Sequence, residues 1–469
     1  MTTSQTAPPA QEEAQAQAPA PPATAPRTET YRARRRLRPT RSGPRRLAVR
    51  TVAALLALGV LCAVAVTGAV AVRDATARFG TTVAQRAAVA AQLRFALADL
   101  DAQRADTLAP GRSAGDENVI VGNQLNALIT GQQRRAQVSD LLRQLGGDEA
   151  QGDRVRTLLD GLGRYDDLSG RAAYVAEREP DQLAGHPPAF AVAMNVQAGT
   201  VMRNQLLPAA DGLSAAYQKQ ADDQRAAAHR SAVRWGLATA VLGAVAVVLL
   251  LWWQRGLARD YRRRLNPALL GATAAALAVT LAGALAMSAA ASAVDTAGTQ
   301  GLTPWARLAE ARAIAAQAAA TESRWFVHDS GFGVADQQNF DTLVGRLDQL
   351  LTPDGYATAE ERPAYQDVLT RYGHFRADDR HLRALKASGD TEQGAAVLTE
   401  VGRGDVAFDF WDFATTLDRL AGRQLDDFTA HAGDAHAALD GWPAVPAGAL
   451  GLAAVLVVLG VRPRLAEYR

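Results

Sequence analysis

Residues 235–294 read WGLATAVLGAVAVVLLLWWQRGLARDYRRRLNPALLGATAAALAVTLAGALAMSAAASAV. Trp235 to Trp253 carries no charge, and neither does Leu265 to Val294. About 20 apolar residues in a helix span a bilayer, so each run is long enough. Between them lie Arg255, Arg259, Arg262, Arg263 and Arg264. The stretch predicts a membrane hairpin with a basic tip.

Working outward, Thr51 to Val72 and Gly441 to Val461 are also uncharged and rich in Ala, Val and Leu. The expected spans are therefore 48–72, 235–253, 268–292 and 442–461. Arg32, Arg34, Arg35, Arg36, Arg38, Arg41, Arg45, Arg46 and Arg50 precede the first span, and Arg462, Arg464 and Arg469 follow the last. The positive-inside rule places both termini and the tip in the cytoplasm. A multi-pass protein of the cell membrane is expected, with a cytoplasmic loop at 254–266 and a tail at 462–469. Segments 73–233 and 295–440 are left outside.

Whole-chain numbers alone would suit a soluble protein: 469 residues, 48% hydrophobic, net charge +2. The distribution decides otherwise. Residues 295–440 hold 24 Asp plus Glu against 13 Lys plus Arg, an acidic face that suits a basic or neutral partner and not nucleic acid. The one cysteine, Cys62, lies in the first span, so no disulfide braces the outer segments. Leu61 before it is too large for a lipoprotein site. The first span exceeds a typical signal core and lacks an A-x-A site, and reads as an uncleaved anchor. Near-total use of Arg over Lys points to a GC-rich bacterial genome.

Met1 to about Pro26 is Ala, Pro and Gln with few bulky apolar side chains, which cannot offset ordering entropy. Residues 1–46 are expected to be a disordered basic cytoplasmic segment, its arginines facing lipid headgroups. Segment 73–233 has helical periodicity throughout: Leu93, Leu97 and Leu100, then Leu125, Leu128, Val138, Leu141, Leu142 and Leu145. The seam Leu158, Leu162, Tyr165, Leu168, Ala172 and Val175 alternates steps of three and four. A fourth helix from near Ala189 runs, kinked at Pro208, into the membrane. Four helices between two spans predict an up-down-up-down bundle.

The second outer segment repeats the plan. Gly331 follows a helix with Arg324 as Gly111 follows one with Arg104, and the same offset carries Ala48 onto Ala268. Arg164-Tyr165 returns as Arg371-Tyr372 and Asp222-Asp223 as Asp426-Asp427. The second seam is Tyr365, Leu369, Tyr372, Phe375, Asp379 and Leu382. The expected fold class is an all-α membrane protein with four transmembrane helices and two extracytoplasmic four-helix bundles in tandem duplication.

No nucleotide loop, paired-His metalloprotease motif or Cys-based metal spacing is present, so neither an enzyme nor a cofactor is expected. His431, Asp434 and His436 spread around a helix and do not converge as ligands. His374 and His381 lack an acidic partner. The spans carry no ionisable residue in their centres, which gives a transporter nothing to work with; Ala, Gly and Val suit close helix packing instead. The candidate docking residues are Asp409, Phe410, Trp411 and Asp412, in an aromatic run from Phe408 to Phe413, and Arg324, Trp325 and Phe326. Trp252-Trp253 reads as an interface belt. The candidate cytoplasmic signalling surface is the five arginines of the tip.

A helical bundle held between two spans resembles the sensor domain of chemoreceptors and sensor kinases, and two units in tandem resemble the actinobacterial GlnX-type membrane proteins. The last span here leads only to Arg462 through Arg469, so the signal is expected to pass to another protein. The resemblance implies a partner role between an extracytoplasmic solute-binding lipoprotein of the GlnH type and a cytoplasmic Ser/Thr kinase of the protein kinase G type, reporting external aspartate or glutamate. Membrane lipids are the remaining expected partner, with a homodimer left open. The rival readings are a direct small-ligand sensor and a structural envelope protein.

Overall fold

The structure, a computed structural model, describes residues 43–261, 266–328, 330–354 and 357–466. Most of residues 1–46 and the tail beyond Ala466 lie outside these, as do Arg262, Arg263 and Arg264 of the tip. Among the described residues the protein is all-α apart from one two-stranded hairpin.

Helix α1 (Gly43–Arg78) passes through a π-turn at Phe79–Val83 into α2 (Ala84–Asp106). Strands β1 (Gly111–Arg112) and β2 (Ile120–Val121) pair antiparallel at the far end. The Asn123 side chain accepts from the Asn126 amide to start α3 (Gln124–Leu145), and α4 (Gly152–Glu177) returns. Next, α5 (Ala189–Val201) runs through a π-turn at Met202–Leu206 into α6 (Leu207–Tyr261). Pro208 would remove one helical hydrogen bond and clash with the carbonyl four residues back; the wide turn just before it accommodates both, and the helix continues.

The second half opens alike. α7 (Pro267–Thr296), capped by Asn266, passes through a π-turn at Ala297–Leu302 into α8 (Thr303–Val327). Pro304 again follows two residues after the π-turn. Then come α9 (Ser330–Leu350), α10 (Arg362–Ser388), ended by Gly389 at φ 82°, the short α11 (Thr391–Thr399) and α12 (Val406–Ala437). A turn with Gly441 at φ 70° leads into α13 (Ala444–Ala466).

Among the described residues four helices are long and apolar enough to cross a membrane, within Leu47–Asp106, Ala189–Arg259, Pro267–Val327 and Ala444–Arg462. α1, α6, α7 and α13 pack as a ring in that order, with α13 closing on α1. Small residues set the spacing. A Cβ on Gly243 would collide with Thr280, and one on Gly68 would lie 2.9 Å from the Trp235 ring. Ala54, Leu58 and Leu61 face Ala246, Leu250, Ala272, Ala276 and Ala453 inside, while Leu56, Val60, Val248, Leu281 and Leu452 face outward. Such an apolar belt suits lipid and not water. Of the two tryptophans read as a belt, Trp252 faces out under the Arg50 guanidinium, 4.9 Å from its ring centroid, whereas Trp253 is buried in the ring. At this end the Gln254 amide donates to the Leu269 carbonyl (2.8 Å) and the Thr273 hydroxyl (2.7 Å), clasping α6 to α7.

The remaining helices form a head above the ring. Both seams face inward, with Leu158, Leu162, Tyr165 and Ala172 buried in α4 and Tyr365, Tyr372, Phe375 and Leu382 in α10. The head differs from a pair of independent bundles: residues from both outer segments belong to one continuous core. The reason lies in α2 and α8, which pack directly on each other. Ala98, Ala102 and Ala105 on one, and Ala311, Ala315, Ala316, Ala318 and Ala319 on the other, are buried. Small side chains let helix axes approach closely. At the base, α12 crosses the π-turns of Phe79–Val83 and Ala297–Leu302: Phe79 meets Phe428 edge to face at 5.2 Å, and a Cβ on Gly301 would sit 2.6 Å from the Phe428 backbone.

Candidate functional site

A cleft of about 420 Å³ opens between α2, α3 and α12, with Arg312 of α8 at one end and Thr399 and Val401 at the other. Its α2 wall carries Phe95, Asp99, Gln103 and Asp106, spaced four, four and three so that they share one face of the helix. Asn126, Thr130, Gln133 and Arg134 supply the α3 wall, and Phe408, Phe410 and Trp411 the α12 wall. At the lower end two guanidiniums flank one ring, with Cζ of Arg312 3.8 Å and of Arg134 5.2 Å from the Phe95 centroid. Arg134 pairs with Asp99 and Arg312 with Asp418. Burial lowers the Arg312 pKa; Asp418 opposes this and the Arg134 charge adds to it.

At the upper end Asp106 is only 8% exposed, and its Oδ1 has no hydrogen-bond partner. Burial lifts its carboxyl to about 7, with the Ser323 hydroxyl opposing and the Asp99 charge adding. Behind it Glu322 is fully buried with both oxygens unpartnered. Burial and then the Asp379 carboxylate push Glu322 far above the usual range, against the pull of Arg383. Burial and a hydrogen bond to Asp409 likewise raise Asp378 to about 7. The head thus stores protonatable carboxyls beside the cleft.

A second cluster closes the other side of α2. Arg324 bonds to Asp101 and lies 3.8 Å from Asp336. His328 Nδ1 is 2.8 Å from Asp336, and its Nε2 is 3.2 Å from Asn195 Oδ1. Tyr165 donates to Asp101 at 3.1 Å. Burial opposes ionisation of Asp336, but the His328 hydrogen bond and the Arg324 charge outweigh it and hold the carboxyl below its usual range. This network ties α2, α4 and α5 to α8 and α9. At the far end the Ser113 hydroxyl and the Ala114 amide donate to Glu392, which holds that carboxyl low.

The docking residues expected from sequence separate in space. Arg324, Trp325 and Phe326 are 2%, 9% and 2% exposed, so they bind helices together and present no surface patch. Helix α8 is central, and even adjacent positions around it are covered. Asp409 and Phe410 are also buried, Phe410 against Phe375 at 5.7 Å, and Asp412 pairs with Arg371 at 3.2 Å. Trp411 alone of that run stands exposed, with Phe408 5.9 Å away, and both line the cleft. Arg255 and Arg259 are exposed at the end of α6. His436 accepts from Arg73 at 3.0 Å while His431 lies 3.7 Å from Asp434, and among the described residues no His, Cys, Asp and Glu group could hold a metal. Sequence reasoning missed Asp99, Gln103 and Asp106. Their signal was a polar stripe at helical spacing on an otherwise Ala/Leu-rich helix.

An all-helical membrane protein whose head carries a polar cleft and continuous helices into apolar spans has the form of a sensor. Residues 75–226 match the family model of an actinobacterial sensor domain, which supports a signal-sensing role. That segment runs from just before the first π-turn into α6 and includes the α2 and α3 walls of the cleft. No curated protein and no solved structure matches the chain.

Proposed function

We propose that this chain is a non-enzymatic transmembrane signal transducer that relays extracytoplasmic amino-acid availability, aspartate or glutamate, through a solute-binding lipoprotein to a cytoplasmic Ser/Thr kinase. The observation that carries the relay is continuity: α1–α2 and α7–α8 each join an apolar span to the head with only a π-turn between, and α6 runs unbroken from the head into its span. A load on the head that favours one packing of α2 on α8 would move these rods by about 1–2 Å, the usual scale of helix shifts. The π-turns beneath α12 are where such a shift can be taken up. Arginine placement supports a head outside and a basic tip inside, where the kinase would read Arg255 and Arg259.

Spin labels on Arg255 and Ala466 of the protein in nanodiscs test the relay. Adding the amino-acid-loaded binding protein is expected to change their separation, and an unchanged separation would sink the relay. Retention of a binding protein and a kinase on the immobilised full chain tests the partners separately. A second reading, direct sensing of a small molecule, is favoured by the cleft itself, with the unpartnered Oδ1 of Asp106 and its aromatic wall.

A further inference from the structure

We propose that the cleft between α2, α3 and α12 binds a short extended peptide, its amino terminus at Asp106 and its carboxylate at Arg312. The proposal rests on reading the cleft as a ligand-sensing site and names the class of ligand.

Two polar atoms of opposite character stand without protein partners at the two ends. Asp106 Oδ1 is a buried acceptor at the top, and Arg312 Nε a buried donor at the bottom. Leaving such groups unmade costs free energy that a ligand recovers. Asp99 does not compete for the amine, because its carboxylate is held by Arg134, whereas Arg312, although Asp418 holds its Nη1, keeps Nε without a partner.

The separation of the ends selects the ligand. Phe95, which carries the Arg312 guanidinium, and Asp106 are eleven residues apart on α2, about 16 Å at 1.5 Å per residue. On the facing wall Asn126 to Arg134 covers about 12 Å by the same rise. A free α-amino acid carries both charges on one carbon and reaches only one end. An extended chain advances about 3.3 Å per residue, so three residues cover about 10 Å, and the Asp and Arg side chains close the rest. Between the ends, Gln103 and Thr130 offer donors and acceptors to peptide groups, while Phe408 and Trp411 give apolar side chains a shelf. The volume of about 420 Å³ falls in the range of small-molecule sites.

The test is calorimetry on the full chain in nanodiscs with trialanine, Ala-Leu-Ala, their N-acetylated and C-amidated forms, and free alanine and leucine. The tripeptides should bind, and blocking either terminus should weaken binding about tenfold or more, as expected for loss of a charge-assisted hydrogen bond. In Asp106→Asn the acetylation penalty should disappear, and in Arg312→Gln the amidation penalty. Trp411→Ala, at an exposed position, should weaken Ala-Leu-Ala without lowering the melting temperature, which keeps a binding loss distinct from misfolding. The proposal is overturned if no tripeptide binds, if free amino acids bind as tightly, or if the acetylation penalty survives in Asp106→Asn. Tripeptide binding with unmoved spin labels would break the relay and leave the site standing. Label movement driven by a binding protein, with no tripeptide bound, would do the reverse.

Discussion

α2 and α8 stand side by side in the centre of the head, each continuing from an apolar span through a π-turn, and two buried charges on them, Arg324 and Asp106, are handled in opposite ways. On α8, Arg324 is enclosed by Asp101 and Asp336, with His328 and Tyr165 completing the set. On α2, Asp106 keeps one oxygen unpartnered at the wall of a cleft. A buried ion enclosed by opposite charges is costly to disturb. A buried carboxyl with one oxygen unpartnered at a cleft wall can change state with less disturbance to the fold. The Arg324 cluster locks the two outer segments together, and the Asp106 end of α2 is left responsive.

The largest test of this contrast is Arg324→Met. It strands Asp101 without its cation and leaves Asp336 only Arg203, at 3.5 Å, and His328, and should destabilise the head by about 3–5 kcal/mol, measured by chemical denaturation in detergent. A loss under about 1 kcal/mol would mean that Arg324 is no more locked than Asp106. Gly243→Leu asks whether the spans are fixed as tightly as the head's central pair. The new side chain meets Thr280, and overpacking of this kind should cost about 1–3 kcal/mol, read as a lower melting temperature with α6 and α7 less readily cross-linked.

The third test uses pH. Asp106 and Asp378 stand at about 7 and Glu322 is raised well above its ordinary value, so folding favours their protonated forms. Their contribution is complete below the ordinary carboxylate range, near pH 4, and is lost as pH rises through 7. Asp336, held low, has the opposite sign, and its contribution is lost only in acid. Wild-type melting temperature should therefore fall between pH 5 and 8, and Asp106→Asn should remove about 1–2 kcal/mol of that slope. An unchanged slope would mean that Asp106 is not the responsive group.

The smallest effects on stability belong to exposed side chains. Trp411→Ala should change stability by no more than about 0.5 kcal/mol, and a larger loss would place that ring in the core. Arg255→Gln with Arg259→Gln should leave the melting curve within the same limit and alter only the binding of a cytoplasmic partner, measured by retention on the immobilised protein.

The spans were legible because their signal is local: uninterrupted apolar composition is enough to define a helix in lipid. The α4 seam from Leu158 to Ala172 was legible for a related reason, since it packs on one side and leaves a three-four rhythm. Arg324, Trp325 and Phe326 were misread as a surface patch because that rhythm vanishes in a helix covered all round. The Phe408 to Phe413 run was read as one patch, yet helical geometry sends Phe410 and Phe413 inward and Trp411 outward. The cleft was illegible as a unit because its walls come from residues as distant as Phe95 and Trp411.

By itself the sequence determined which segments are apolar enough to leave water, which helices are amphipathic and where the arginines concentrate. Each of these follows from neighbours within a few turns. Only the tertiary structure decided that α2 packs on α8, that Arg324 is enclosed and that Asp106 is left open. Pairing of a buried charge depends on which distant side chain arrives beside it, and no local pattern records that arrival.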